Sequence, residues 1–239
     1  MLALVAILVL PSHQAHALKM AVTQFFSPLL TAATHVRQAA ERDSASESSS
    51  APNVEAEELR QENARLREMI GFRERTPWRL LGARVIGRDA SNWWRTITLD
   101  RGRADGVSEN MAVLTPAGLV GKTYEVGQRF CRVLLIADPN CHVSALLQGS
   151  RKHGFVNGVG ASSEAEPRCW MKFLDTTTTV AEGEWVLASG YGGVFPKGSI
   201  IGRVEFVNAS GFYQTASIRP AADLMRLEEV LIVLGEKEK

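Results

Sequence analysis

The period of the apolar positions changes along the chain, and each change marks a different element. Residues Met1 to Leu10 are apolar without interruption. As a helix rising ~1.5 Å per residue they reach about 15 Å, half of a ~30 Å hydrocarbon core. Residues 1–20 therefore read either as the end of a membrane anchor or as the apolar region of a secretory signal, with Ala15-His16-Ala17 as its cleavage site. Both place the rest of the chain outside the cytoplasmic membrane. A buried core helix is the bland alternative, but an all-apolar helix at an extreme terminus has little nearby to bury it. Leu29, Ala33, Val36 and Ala40 keep helical spacing, which dissolves in the serine run Ser44 to Ser50, so residues 21–53 read as a linker.

A new helix starts after Pro52, with Asn53 as cap, Glu55, Glu57 and Glu58 in the first turn, and Gly71 as the stop. Ala56, Asn63 and Ile70 recur every seven residues, as do Leu59 and Leu66, which is an a/d seam. Glu55 and Glu62 fall at g and Arg60 and Arg67 at e, the arrangement a parallel partner completes. A coiled-coil helix over 54–72, dimerising through Ala56, Leu59, Asn63, Leu66 and Ile70, is expected. The competing reading is an amphipathic helix lying on its own domain.

From Leu80 onward the texture becomes short β-branched runs between glycine turns: Ala83 to Ile86, Arg95 to Leu99, Met111 to Leu114, Val133 to Ala137 and Val143 to Leu147. Thr96 to Leu99 alternates polar and apolar like a half-buried strand, whereas Val133 to Ile136 is apolar throughout and belongs in an interior. Asp105-Gly106 leading into Met111 to Leu114 and Gly118 to Gly121 is echoed by Glu182-Gly183, Trp185 to Leu187 and Ile200 to Gly202. Such an internal echo suggests two related small barrels.

Composition narrows the function classes. Among 239 residues, 45% are hydrophobic, and 27 basic against 26 acidic side chains leave a net charge of +1, so no global field draws nucleic acid. Cys131, Cys141 and Cys169 are too few for a disulfide scaffold and lack Cys-x-x-Cys spacing, so buried thiols, no metal and no cofactor are expected.

Several segments together resemble the rod shape-determining MreC family: Val85-Ile86-Gly87-Arg88-Asp89 with Ser91-Asn92-Trp93-Trp94, Asp105-Gly106-Val107, Thr115 to Gly121 and Arg132 to Pro139. The likeness continues through Ala188 to Gly198, Ile201 to Val204, Pro220 to Asp223 and Leu227 to Val230. The resemblance implies a mainly β protein: an anchor remnant and a short coiled-coil helix followed by two small β-barrels. The first barrel would span 78–150, completed by 220–235, and the second 151–219 as an excursion within it. It further implies a single-pass protein of the bacterial inner membrane with its bulk in the periplasm. That protein would be a homodimeric, non-enzymatic scaffold of cell elongation, partnered by the elongation-specific penicillin-binding transpeptidase, MreD and, indirectly, MreB.

Enzyme chemistry has one foothold, Ser189-Gly190 in a glycine-rich loop. A hydrolase needs a histidine base and an orienting carboxylate, and His142 and His153 sit in no such setting. The loop lacks a Gly-Lys-Ser/Thr ending and a following helix, which argues against a phosphate site. Its aromatics are more informative: Tyr191, Gly192, Gly193, Val194 and Phe195 are expected to form a partner-binding surface. Alternatively, Phe195 folds back to plug a barrel end. The remaining function classes are a wall-synthesis scaffold, a periplasmic export adaptor and a double-barrel hydrolase. An adaptor would carry a helical hairpin within a β domain, whereas the seam here precedes every strand.

Overall fold

A computed structural model of the chain describes residues 53–89, 95–159, 167–175, 179–210 and 213–237. The apolar N-terminal run, the linker and Ser91-Asn92-Trp93-Trp94 lie outside the described residues. Helix α1 occupies residues 53–75 and runs through Gly71, the expected stop. Glycine costs a helix only about 1 kcal/mol, and Met69 and Phe72 on either side of it pack against the barrel core. The helix ends instead before Pro77, whose ring disfavours helical backbone at Thr76. Its last carbonyls are capped from the other end of the chain. Lys237 Nζ donates to the carbonyls of Arg73 at 2.8 Å, Glu74 at 3.4 Å and Thr76 at 2.7 Å.

Twelve strands follow among the described residues. β1 (Trp78–Arg88), β2 (Thr96–Leu99), β3 (Ala112–Thr115), β4 (Gly118–Val126), β5 (Cys131–Leu135) and β12 (Glu229–Glu236) close one barrel in the order β1-β12-β3-β4-β5-β2. β6 (Val143–Leu147), β7 (His153–Gly158), β8 (Cys169–Asp175), β9 (Trp185–Ala188), β10 (Ile200–Ser210) and β11 (Tyr213–Pro220) close the other, in the order β10-β11-β8-β7-β6-β9. A division at 150/151 leaves β6 with the first barrel. In the structure β6 is hydrogen-bonded between β7 and β9, so it belongs to the second.

The echo in the sequence corresponds to two matching hairpins. Gly106 and Gly183 both adopt left-handed backbone, at φ 85° and 79°, and the β3–β4 and β9–β10 pairs that follow are both antiparallel. Thr96–Leu99 buries alternate residues as expected. Leu134 is half-buried within Cys131–Leu135, so that run also alternates rather than lying wholly inside.

The two barrels share one hydrophobic cluster. At their junction Cys169 Sγ donates to the Ile136 carbonyl at 3.3 Å, and the Gly158 amide donates to the Asp138 carbonyl at 3.2 Å. A Cβ on Gly158 would overlap the Ala137 backbone, and one on Gly118 would stand 2.7 Å from the Ile200 carbonyl oxygen. Asp138 is buried there: one carboxylate oxygen accepts from the Asn140 amide at 2.7 Å and the other lies 3.6 Å from Arg95 Nε.

Candidate partner-binding surface

Along β7 the side chains alternate, with Gly154, Val156 and Gly158 buried and His153 and Phe155 exposed. Phe155 is paired across the sheet with Lys172 of β8, and β8 is paired in turn with β11. Three exposed rings from these strands meet edge to face. Phe155 and Phe173 have centroids 6.2 Å apart at 88°, and Phe173 and Tyr213 are 5.9 Å apart at 77°. At the other end His153 stacks on Tyr191 of the glycine loop, 5.0 Å between centroids and 19° from parallel. Tyr191, His153, Phe155, Phe173 and Tyr213 thus form an aromatic band on the outer face of the second barrel. A further pair, Trp170 and Phe206, lies on the same sheet with centroids 5.7 Å apart. Exposed Arg151, Lys152 and Lys172 flank the band, against Asp175.

The glycine loop divides between surface and core. Gly190, Gly192 and Gly193 take φ of 83°, 85° and 72°, values that favour glycine, and turn the chain so that Tyr191 projects with 65% of its surface exposed. Gly192 and Gly193 are exposed and Val194 is half-buried. Phe195 departs from the expected partner surface, because it is only 5% exposed and belongs to the core cluster. Its ring folds inward rather than out to the surface. Ser189 is occupied locally: its Oγ donates to the Ser144 carbonyl at 3.1 Å and accepts from the Tyr191 amide at 3.3 Å. His142 is exposed and His153 is committed to Tyr191.

On α1 the seam faces solvent. Leu59, Leu66 and Ile70 are 58%, 40% and 57% exposed, Asn63 is exposed and Ala56 half-buried. Arg60, expected to reach a partner helix, lies 3.3 Å from Glu57 of its own helix, an exposed pair of small energetic weight.

Elsewhere, a cavity of about 460 Å³ lies along the β11–β12 connection, and another of about 400 Å³ beside Arg88, Arg95, Arg132 and Asp138. Arg88 is structural there: Nη1 donates to the Leu224 carbonyl at 3.0 Å, and burial pulls its pKa down although Asp223 opposes the shift. Among the described residues no three His, Cys, Asp or Glu side chains converge to hold a metal ion. No helix among them is long and apolar enough to cross a membrane.

Sequence reasoning missed Phe155, Phe173 and Tyr213. Alternation around Phe155 was a readable signal, since it sits between glycine and valine in a short strand. Phe173-Leu174 was a subtler one, two adjacent apolar residues where alternation allows one.

Residues 85–234, more than half the chain, match the family model described as rod shape-determining protein MreC, barrel core. The chain belongs to the MreC family. The cell shape-determining protein MreC of Listeria monocytogenes is 35% identical over 193 residues, covering 77% of this chain and 63% of that protein. MreC of Escherichia coli K12 is 28% identical over 180 residues, covering 74% and 48%. This chain therefore spans less than two thirds of the length of these MreC relatives. A solved MreC structure superposes with a TM-score of 0.68 at 28% identity, covering 73% of this chain and 98% of that one. A more distant MreC, from Helicobacter pylori, was solved in complex with penicillin-binding protein PBP2. At 18% identity and a TM-score of 0.51 it shares the fold.

Proposed function

We propose that the chain is a non-enzymatic scaffold of the cell-elongation machinery, standing outside the cytoplasmic membrane and organising peptidoglycan synthesis so that the cell keeps its rod shape. The aromatic band on the second barrel carries this reading. Exposed aromatic clusters are favoured anchors of protein interfaces, and Ser189 Oγ is tied into its own turn, donating to the Ser144 carbonyl and accepting from the Tyr191 amide. The proposed partner on the band is the elongation-specific penicillin-binding transpeptidase, a role supported by the complex known for the Helicobacter pylori relative. MreD and, indirectly, MreB are proposed as further partners. An N-terminal membrane tether and dimerisation through Ala56, Leu59, Asn63, Leu66 and Ile70 complete the arrangement.

The test is binding of the full chain to the soluble extracytoplasmic part of that transpeptidase. Changing Phe155 and Tyr213 together to serine should weaken binding at least tenfold while shifting the thermal midpoint by no more than a few degrees, because both side chains stand exposed. Wild-type affinity in the double variant would sink the assignment of this surface.

A further inference from the structure

Phe173 holds a backbone conformation that bulky residues rarely adopt, with φ at 62°. The reason lies in the pairing of β8 with β11. Leu174 pairs with Gln214 and Met171 with Ala216, so Lys172 and Phe173 together oppose the single residue Thr215. This is a β-bulge, and its left-handed position is one that glycine ordinarily fills without strain. Its effect on the side chains is specific. Without the bulge, alternation from buried Met171 would send Phe173 into the barrel and leave Leu174 outside. With it, Lys172 and Phe173 both face outward and Leu174 turns back into the core. The ring of Phe173 is 61% exposed and stands between Phe155 and Tyr213, touching both edge to face.

We propose that Phe173 is the specificity-determining anchor of the aromatic band, held out in a strained bulge to fill an apolar pocket with an acidic rim on the transpeptidase. The inference rests on the proposed function above and names the residue on which that contact turns. An exposed phenylalanine contributes little to its own barrel, so strain retained at this position points to use outside the fold. The rim selects the partner. Arg151, Lys152 and Lys172 outnumber Asp175 around the band, so an acid-rimmed surface is attracted. A second copy of this chain docking the same face would bring its basic flank of Arg151, Lys152 and Lys172 against a like-charged one.

The experiment compares Phe173→Gly, Phe173→Ala and Phe173→Trp in the full chain. Each is measured for thermal midpoint and for affinity to the soluble extracytoplasmic part of the transpeptidase. The expected result has three parts. Phe173→Gly melts a few degrees above Phe173→Ala, reversing the usual order in strands, because glycine suits the left-handed position. Both lose at least tenfold in affinity, and Phe173→Trp retains binding. Full affinity in a folded Phe173→Gly variant, alongside loss in the Phe155 and Tyr213 double variant, overturns the anchor role and leaves the proposed function standing. A wild-type chain that does not bind the transpeptidase overturns both, whereas wild-type self-association abolished by Phe173→Gly overturns the transpeptidase as the occupant of the band. A Phe173→Gly variant melting below Phe173→Ala overturns the strained bulge.

Discussion

Tyr191 and Phe195 are four residues apart in one loop, and three left-handed glycines send one ring out and the other in. Their substitutions should separate cleanly in urea unfolding. Phe195→Ala empties a core position and should cost about 3 kcal/mol, whereas Tyr191→Ser should stay within about 1 kcal/mol. The cysteines make a second residue-scale case. Burial, with smaller contributions from Asp100 and Asp105, pushes the Cys131 thiol from 9.0 up to about 11, and burial pushes Cys141 up to about 12. A thiol whose pKa is raised in the folded chain keeps its proton there while the unfolded chain releases it. Its stabilising contribution is thus complete below 9.0 and lost as pH rises towards about 11. Unfolding free energy should fall across that window, and Cys131→Ala should flatten the fall. An unchanged slope in the variant would show that other groups dominate the alkaline response.

At the scale of elements, α1 turns two faces to different tasks. Met69 and Phe72 rest on the barrel core while Leu59, Leu66 and Ile70 remain open. If the open seam pairs in parallel, Leu59→Asp with Leu66→Asp should leave monomers in sedimentation equilibrium. Asn63→Val should tighten association and admit trimers, since a polar a position trades stability for a defined register. A wild-type chain that stays monomeric at high concentration would retire the dimer. The seven-residue repeat makes this helix legible in the sequence, because amphipathic period is a strong signal. Its end is not legible there: Gly71 is a local preference of about 1 kcal/mol that packing by Phe72 outweighs. The strands are visible as β-branched runs, yet the membership of Val143–Leu147 is not, because pairing with β7 and β9 is a long-range choice that local pattern does not record. Tyr191 is marked by its glycine loop. Phe173 is marked only by the broken alternation at Phe173-Leu174, and which of the two faces outward depends on a bulge created jointly by two strands.

On the scale of the whole molecule, the barrels are nested in sequence and fused in space. Two of the family motifs, Thr115 to Gly121 and Arg132 to Pro139, supply Gly118 and Ala137 to this fusion, where they approach Ile200 and Gly158 of the second barrel too closely for a further carbon. Nesting also sets the order in which the molecule can be completed. The second barrel uses only the contiguous stretch from β6 to β11, so it can close as soon as that stretch is available. The first barrel cannot, because β1 waits for β12, with Leu80 pairing Val233 across nearly the whole domain. The same late strand leads into Lys237, the ammonium that caps α1. A chain emerging N-terminus first would therefore present a finished second barrel while the first is still open and the end of its helix uncapped. Any factor that shields apolar surface during folding would meet β1 to β5, and the final eight-residue strand would release it.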